Sequence, residues 1–138
     1  MKSLLAFALL LVFCSAQDDR ALAFAKRQFE LFEKFIEHKD RESASTFISP
    51  IFGLKLNCND KRIKKDEFMR RVFNMASSPN PFHVEVLDAK NQHYHGADFV
   101  YVQLKIHGFG EPFIIYGHWI FDRKQNFKVF IGGSPMNC

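Results

Sequence analysis

Apolar side chains recur at helical spacing along the first half of the chain. Residues 18–39 carry two neighbouring apolar stripes, while lysine, arginine and glutamate fill the opposite side. The apolar arc covers about half of this predicted helix, which indicates that the helix lies in a concave surface. Residues 61–76 repeat the pattern over a shorter length. Between them, residues 40–52 predict a short helix or turn and residues 53–58 a short strand.

The period changes to two after the Ser- and Pro-rich break at residues 77–81. Alternating apolar and polar residues predict strands over 83–87, 99–107, 113–121 and 127–131. Short turn-forming segments join the last three strands, which predicts two successive hairpins. Helices followed by such a meander define an α+β class, with two to three N-terminal helices packed on one face of a curved antiparallel sheet.

The stretch FIIYGHWIF, residues 113–121, decides which side chains of the sheet face the helices. If His107 pairs with Pro112, one face is apolar throughout, with Val100, Val102, Leu104, Ile106, Phe113, Ile115, Trp119, Phe121, Phe127, Val129 and Ile131. The other face then carries Tyr101, Gln103, Lys105, His107, Tyr116, His118, Lys128 and Phe130. A shift by one residue would turn Tyr116 and His118 inward, with a bulge at Gly117 re-aiming the strand. The first register is favoured because it keeps the apolar face whole.

The N-terminus has the pattern of a secretory signal peptide. Lys2 precedes a short apolar run that ends in Cys14-Ser15-Ala16, so residues 1–16 are predicted to be removed and residues 17–138 to form one exported, extracellular domain. The apolar run is too short to span a membrane. The whole chain has a formal net charge of +4, which does not by itself require a nucleic-acid or membrane partner.

Two cysteines remain after removal of the leader, Cys58 and Cys138. In an oxidising compartment an intrachain disulfide is the default expectation, and the alternative is a crosslink between chains through the C-terminal Cys138. His93 and His95 are spaced as metal ligands, but they lie in a predicted turn without a third ligand. We therefore predict no metal site and no cofactor.

The element order and the stretch FISPIFGLKLNCNDKRIKKDEFMRRV, which contains Lys65-Asp66-Glu67-Phe68, resemble the nuclear transport factor 2-like fold, a cone-shaped roll of the cystatin-like superfold. With its leader, the chain is similar to secreted nematode proteins of this type, many of them without an assigned function. The resemblance implies a pocket between the helices and the sheet. We expect it to be lined by Phe29, Phe32, Phe68, Phe73, Val102, Leu104 and Trp119.

Two functions follow from these expectations. The first is a non-catalytic binding module, with a small apolar ligand in the cone or a protein partner, including a second copy, on the outer sheet face. That interface is predicted to include Tyr101, Gln103, His107, Tyr116, His118 and Phe130. The alternative is a pocket enzyme of the isomerase, dehydratase or cyclase type, with His118 as the base and Tyr116 as an oxyanion donor.

A basic cluster stands apart from both functions. Residues 61–65 read KRIKK, and Arg70 and Arg71 follow two turns later. Such a cluster in an exported protein suits an anionic glycan or lipid surface, whereas Asp60, Asp66 and Glu67 favour an ordinary solvated face. No recognisable nucleic-acid-binding motif accompanies it.

Overall fold

The computed structural model describes residues 2–122, 127–136 and 138, with side chains for 19–93, 95, 96, 98–119, 129–136 and 138. The helices are α1 (Lys2–Glu37), α2 (Arg41–Ser45) and α3 (Lys65–Asn74). The strands are β1 (Ile48–Leu54), β2 (Ile63–Lys64), β3 (His83–Tyr94), β4 (Ala97–His107), β5 (Phe113–Asp122) and β6 (Phe127–Ser134). No helix within the described residues is long and apolar enough to cross a membrane.

The predicted α+β class is confirmed. The six strands form one curved sheet in the order β2-β1-β6-β5-β4-β3, and all three helices lie in the N-terminal part of the sequence, before β3. One detail of the prediction is wrong, because β1 pairs with β6 in parallel and the sheet is therefore mixed. This pairing joins an early strand to the last one, and no short-range pattern in the sequence signals it.

Helix α1 covers the sheet with the apolar stripe that the spacing predicts. Among the side chains of α1 that the structure describes, the buried ones are Ala21, Ala25, Phe29, Phe32 and Ile36, which recur at intervals of four or three. The helix begins at Lys2, well before the predicted start at Asp18, and ends at Glu37. The predicted leader thus forms the first part of α1 in the full chain, and its removal stays a prediction.

The predicted register of β4 on β5 is confirmed. Ile106 pairs with Phe113 and Val100 with Trp119, without a bulge at Gly117 between these two strands. Trp119 is consequently 1 % exposed, beneath the helices. Gly117 also faces inward, where a Cβ atom would lie 2.8 Å from the ring of Phe130. A glycine at this position therefore makes room for an aromatic side chain of the neighbouring strand.

The predicted face of Phe130 is wrong. Phe130 pairs with Trp119, is 3 % exposed and packs in the core, with its ring centroid 5.4 Å from that of Trp119. Asp122 pairs directly with Phe127, so the hairpin loop is one residue shorter than predicted. This shift by one residue places Phe130 on the face opposite the predicted one. By the same backbone register Val129 pairs with Ile120 and lies on the face opposite Trp119. The side chains of Phe121, Phe127 and Lys128, which the prediction also placed, lie outside those described.

A bulge in β6 lies where this strand pairs with β1. The register of β5 on β6 shifts between Gly117 and Trp119, where β6 has one extra residue. Gly132 lies in this bulge with φ +98° and pairs with Gly53 of β1. A Cβ atom on Gly132 would overlap the carbonyl oxygen of Gly53, so the parallel pair depends on the absence of a side chain there.

Candidate functional site

The interior of the cone is filled by aromatic rings. Around Trp119 the rings of Phe24, Phe29, Phe47 and Phe130 have centroids 6.0, 5.5, 6.3 and 5.4 Å from its own. The space left between them is a cavity of about 10 Å³. That is barely room for one water molecule, whereas pockets for small ligands measure roughly 300–1,000 Å³. In this conformation the cone has no room for a small ligand.

The predicted pocket-lining residues divide into two groups. Phe29, Phe32, Phe68 and Trp119 line the small residual cavity. Phe73, Val102 and Leu104 are buried elsewhere in the core, at 9 %, 0 % and 0 % exposure. The sequence analysis did not include seven further residues that line the cavity, namely Phe47, Ile48, Leu54, Phe82, Val84, Ile106 and Phe130.

The aromatic core described above contains one polar atom without a hydrogen-bond partner among the described residues. The Nε1 atom of Trp119 is buried and has no hydrogen-bond partner among the described residues. An unsatisfied buried donor costs about 1–3 kcal/mol. The edge-to-face arrangement of the Phe24, Phe29 and Phe47 rings surrounds the indole with aromatic surface, against which an N–H group retains only a weak interaction.

Tyr116 and His118 lie on the outer face of the sheet, away from the helices. His118 pairs with Tyr101 and Tyr116 with Gln103, and these pairs alternate with the inward-facing pairs of β4 and β5. The rings of Tyr101 and His118 meet edge to face at 4.9 Å, and those of Tyr101 and Tyr116 stack at 5.6 Å. We call the set Phe99, Tyr101, Gln103, Tyr116 and His118 the outer aromatic patch.

The outer aromatic patch is partly desolvated by its own packing. Burial lowers the pKa of His118 below its usual value, which favours the neutral imidazole. Burial, reinforced by the neighbouring Tyr116, raises the pKa of Tyr101. The Nε2 of Gln103 donates a hydrogen bond of 3.1 Å to the hydroxyl oxygen of Tyr116. Neither His118 nor Tyr116 enters the cone, so the pair does not form the pocket site that the enzyme hypothesis requires.

A shallow groove of about 200 Å³ borders the patch. It is lined by Asp88, Ala89, Lys90, Tyr101, Gln103 and Tyr116. The groove carries charges of both signs at one edge and aromatic surface at its floor. Its size is below the range of ordinary small-molecule pockets and suits the uneven surface of a protein interface better.

A polar corner at the start of β3 joins the sheet edge to α1. Oε1 of Glu33 accepts a hydrogen bond of 2.7 Å from the backbone N–H of Val84 and lies 2.9 Å from Nδ1 of His83. Burial raises the pKa of Glu33. His107, opposite His83, has its Nε2 3.7 Å from Oε2 of Glu85. The sequence analysis assigned Glu33 to the solvated side of α1, because nothing local indicates that a strand edge lies beside it.

Cys58 and Cys138 form an intrachain disulfide, with Cα atoms 5.1 Å apart. The bond attaches the C-terminus to the segment between β1 and β2 and spans 80 residues of sequence. His93 lies in the β3–β4 hairpin, where its Nδ1 is 2.7 Å from Oδ1 of Asp98. Within the part of the chain that the structure describes, no cluster of three His, Cys, Asp or Glu side chains could hold a metal ion.

Comparison with known proteins supports the fold but does not indicate a function. Neither protein-family models nor curated protein sequences match this chain. A 2.5 Å structure from Catenulispora acidiphila has a TM-score of 0.55 at 8 % identity, over 84 % of this chain and 91 % of that one. This similarity concerns the α+β fold alone.

Two further solved structures have lower TM-scores. The designed protein Rd1NTF2_05 with long sheet has a TM-score of 0.49 at 10 % identity, over 80 % of this chain and 93 % of that one. A Mycobacterium tuberculosis epoxide hydrolase described as LEH-like has a TM-score of 0.42 at 11 % identity, over 78 % and 79 % of the two chains.

Proposed function

We propose that the protein is a secreted, non-catalytic binding module of the nuclear transport factor 2-like type. Its binding surface is the outer aromatic patch, and the bound partner is a second copy of the chain. The observation that carries this proposal is the contrast between a closed cone, with about 10 Å³ of free space, and an outer face that leaves tyrosine and histidine rings half-buried. A small apolar ligand in the cone, the other form of the binding hypothesis, would require several core rings to move.

The composition of the patch suits a protein interface. Tyrosine combines a large apolar ring with a polar tip and is enriched at protein–protein contacts. Ile114, next to the patch on β5, is 45 % exposed. Tyr101, Tyr116 and His118 are already ordered by mutual ring contacts, so little side-chain entropy is lost when a partner covers them.

The charges beside the patch are arranged for self-association. On β3, Asp88 lies opposite Gln103 and Lys90 opposite Tyr101. A twofold axis in the interface, perpendicular to the strands and between these two rows, brings Asp88 of one copy opposite Lys90 of the other. The same operation brings Gln103 opposite Tyr101 and Tyr116 opposite His118. Such a contact is isologous and buries complementary groups on both sides.

A charge-swap experiment tests this arrangement. Sedimentation velocity of the chain over residues 17–138, from about 1 to about 100 μM, measures self-association in the range of ordinary weak dimers. Lys90→Asp places like charges opposite each other and should abolish the dimer. The double variant Asp88→Lys/Lys90→Asp restores opposite charges and should recover it. A monomeric wild-type chain, or a double variant no better than the single one, contradicts the proposal.

The cone is tested separately by native mass spectrometry of the unreduced protein. A closed cone predicts a mass without any non-covalent adduct. An adduct that survives native spray and is lost on denaturation would show that the core rings open for a ligand. His118 lies on the outer face and Tyr116 borders a shallow groove instead of the enclosed cone, so the positions of these two side chains do not support the enzyme hypothesis.

A further inference from the structure

The net charge of the protein is concentrated in one segment. Residues 55–71 hold seven of the 19 basic residues and three of the 15 acidic ones, so this segment alone has a net charge of +4. The formal net charge of the whole chain is also +4, and the rest of the sequence is therefore balanced. The segment includes the whole β1–β2 connection, β2 and most of α3, which are neighbours in space.

These charges surround a groove between the β1–β2 connection and α3. The groove measures about 380 Å³ and is lined by Leu56, Asp60, Lys61, Arg62, Ile63, Glu67 and Arg71. Ile63 is buried, whereas Lys61 and Arg62 are exposed at the rim. The cations thus converge on a concave surface with an apolar floor, instead of pointing away from one another.

The acidic residues of the groove leave it with a net positive charge, because its lining holds Lys61, Arg62 and Arg71 against Asp60 and Glu67. Oε1 of Glu67 is 2.8 Å from Nη2 of Arg71 and 3.9 Å from Nη2 of Arg70, so one carboxylate already serves two guanidinium groups. Neither Lys61 nor Arg62 forms an ion pair within the described part of the chain. The stem of Arg62 packs over Gly53 of β1, 3.1 Å from where a Cβ atom would lie, which holds this side chain at the groove.

Lys65 belongs to the same segment, but its charge has a structural role and does not contribute to the groove. Nζ of Lys65 donates hydrogen bonds of 3.0 and 2.9 Å to the carbonyl oxygens of Ser45 and Ile48. Lys65 thereby attaches the start of α3 to α2 and β1. Among the described residues, the groove cations Lys61, Arg62 and Arg71 make no comparable backbone bonds. Arg71 is paired with Glu67, so Lys61 and Arg62 carry the charges that are available to a ligand.

We propose that this groove binds a sulfated glycan chain. Sulfate esters accept charge-assisted hydrogen bonds from lysine and arginine, and clusters of these residues are typical of heparin-binding surfaces. A linear chain fits a groove, and its sugar rings can cover the apolar floor. A membrane surface suits this region less well, because no exposed large apolar side chain is among the groove-lining residues described here.

The disulfide is attached to one wall of the groove. Cys58 lies between Leu56 and Asp60, two of the groove-lining residues, and its bond to Cys138 restrains this connection. Breaking the bond frees this connection, which carries Lys61 and Arg62, without changing the number of cations. Reduction should therefore weaken glycan binding more than it changes the secondary structure.

The test compares two triple variants with the same change in charge. Lys61→Gln/Arg62→Gln/Arg71→Gln removes the groove cations, and Lys26→Gln/Arg27→Gln/Lys34→Gln removes three exposed cations of α1. Binding of a heparin-derived octasaccharide is measured by calorimetry at several salt concentrations. The groove variant should bind about tenfold more weakly or worse and show a smaller salt dependence, whereas the α1 variant should bind like the wild type.

Each other outcome contradicts the proposal. Equal weakening in both triple variants would show attraction to net charge alone. Equally tight binding of a single-stranded oligonucleotide or of anionic phospholipid vesicles would replace the glycan with another polyanion. If the groove variant unfolds at a lower temperature, Lys61→Gln/Arg62→Gln alone, both at exposed positions, serves as the second test.

Discussion

The inside of the cone and the outer face of the sheet are built from the same strands and both are rich in aromatic residues. Inside, the rings of Trp119 and Phe130 are 1 % and 3 % exposed and leave almost no free space. Outside, Tyr101 and Tyr116 stack side by side, half-buried, with polar tips. Aromatic content alone therefore indicates neither a pocket nor an interface. The register, which assigns each residue to a face, decides between them.

The strongest test of this comparison removes one ring from each side. Phe130→Ala should lower the free energy of unfolding by about 3–5 kcal/mol, because it opens a cavity among rigid rings. Tyr116→Ala, on the outer face, should cost the monomer about 1 kcal/mol or less and act on the dimer instead. Urea unfolding measures the first effect and sedimentation the second. Similar losses of stability in the two variants would contradict the difference between the faces.

The next effect concerns the bulge that lets β1 approach β6. Gly132→Ala adds an atom where the carbonyl of Gly53 already lies and imposes φ +98° on an alanine. We expect a loss of about 3 kcal/mol or more, measured by thermal unfolding. Gly96→Ala is the matched control, since Gly96 also has a positive φ but nothing within 4 Å of a Cβ atom, and should cost about 1 kcal/mol. Equal costs would show that backbone strain, and not the close approach, is what matters.

The polar corner at the edge of β3 should give a smaller effect. Glu33→Ala removes the acceptor of the Val84 N–H and should cost about 1–2 kcal/mol. Glu33→Gln keeps an acceptor oxygen without a charge that is costly to bury, and should be close to neutral at pH 7. Because the folded-state pKa of Glu33 is raised, its contribution to stability is largest at low pH and is lost as the pH rises through that pKa. Urea unfolding of both variants at pH 4 and pH 7 measures this, and a glutamine variant as unstable as the alanine one would contradict it.

His118 should give the smallest effect and is the most direct probe of the patch. Its folded-state pKa lies below the usual value, so its contribution to stability is present above the unfolded pKa and is lost as the pH falls through the folded one. A histidine titration by NMR should place its midpoint below the usual value for a histidine side chain. Covering the patch in a dimer should lower the midpoint further with rising concentration. A midpoint independent of concentration would argue against the interface.

The sequence predicted those features that depend on neighbouring residues. The spacing of Phe29, Phe32 and Ile36 predicted the buried side of α1, and alternation predicted that Trp119 lies inside and His118 outside. It failed where one residue of loop length changes the outcome, as for Phe130, and where strands distant in the sequence pair, as for β1 and β6. The sequence also did not predict that the cone is filled, because the volume left between the rings depends on how they pack together and not on their number.

The position of β1 beside β6 has a consequence for the order of folding. Ile48 can pair with Phe130 only after β6 has been synthesised, so until then the only pairing partner of β1 is the two-residue strand β2. The hairpins of β3, β4 and β5 close over short distances and can form first, while the slow step is the late docking of an early strand. The sheet is therefore complete only when β6, Phe127–Ser134, has been added. A chain that ends before β6 leaves the sheet in two separate parts, with unpaired strand edges to which other chains can bind.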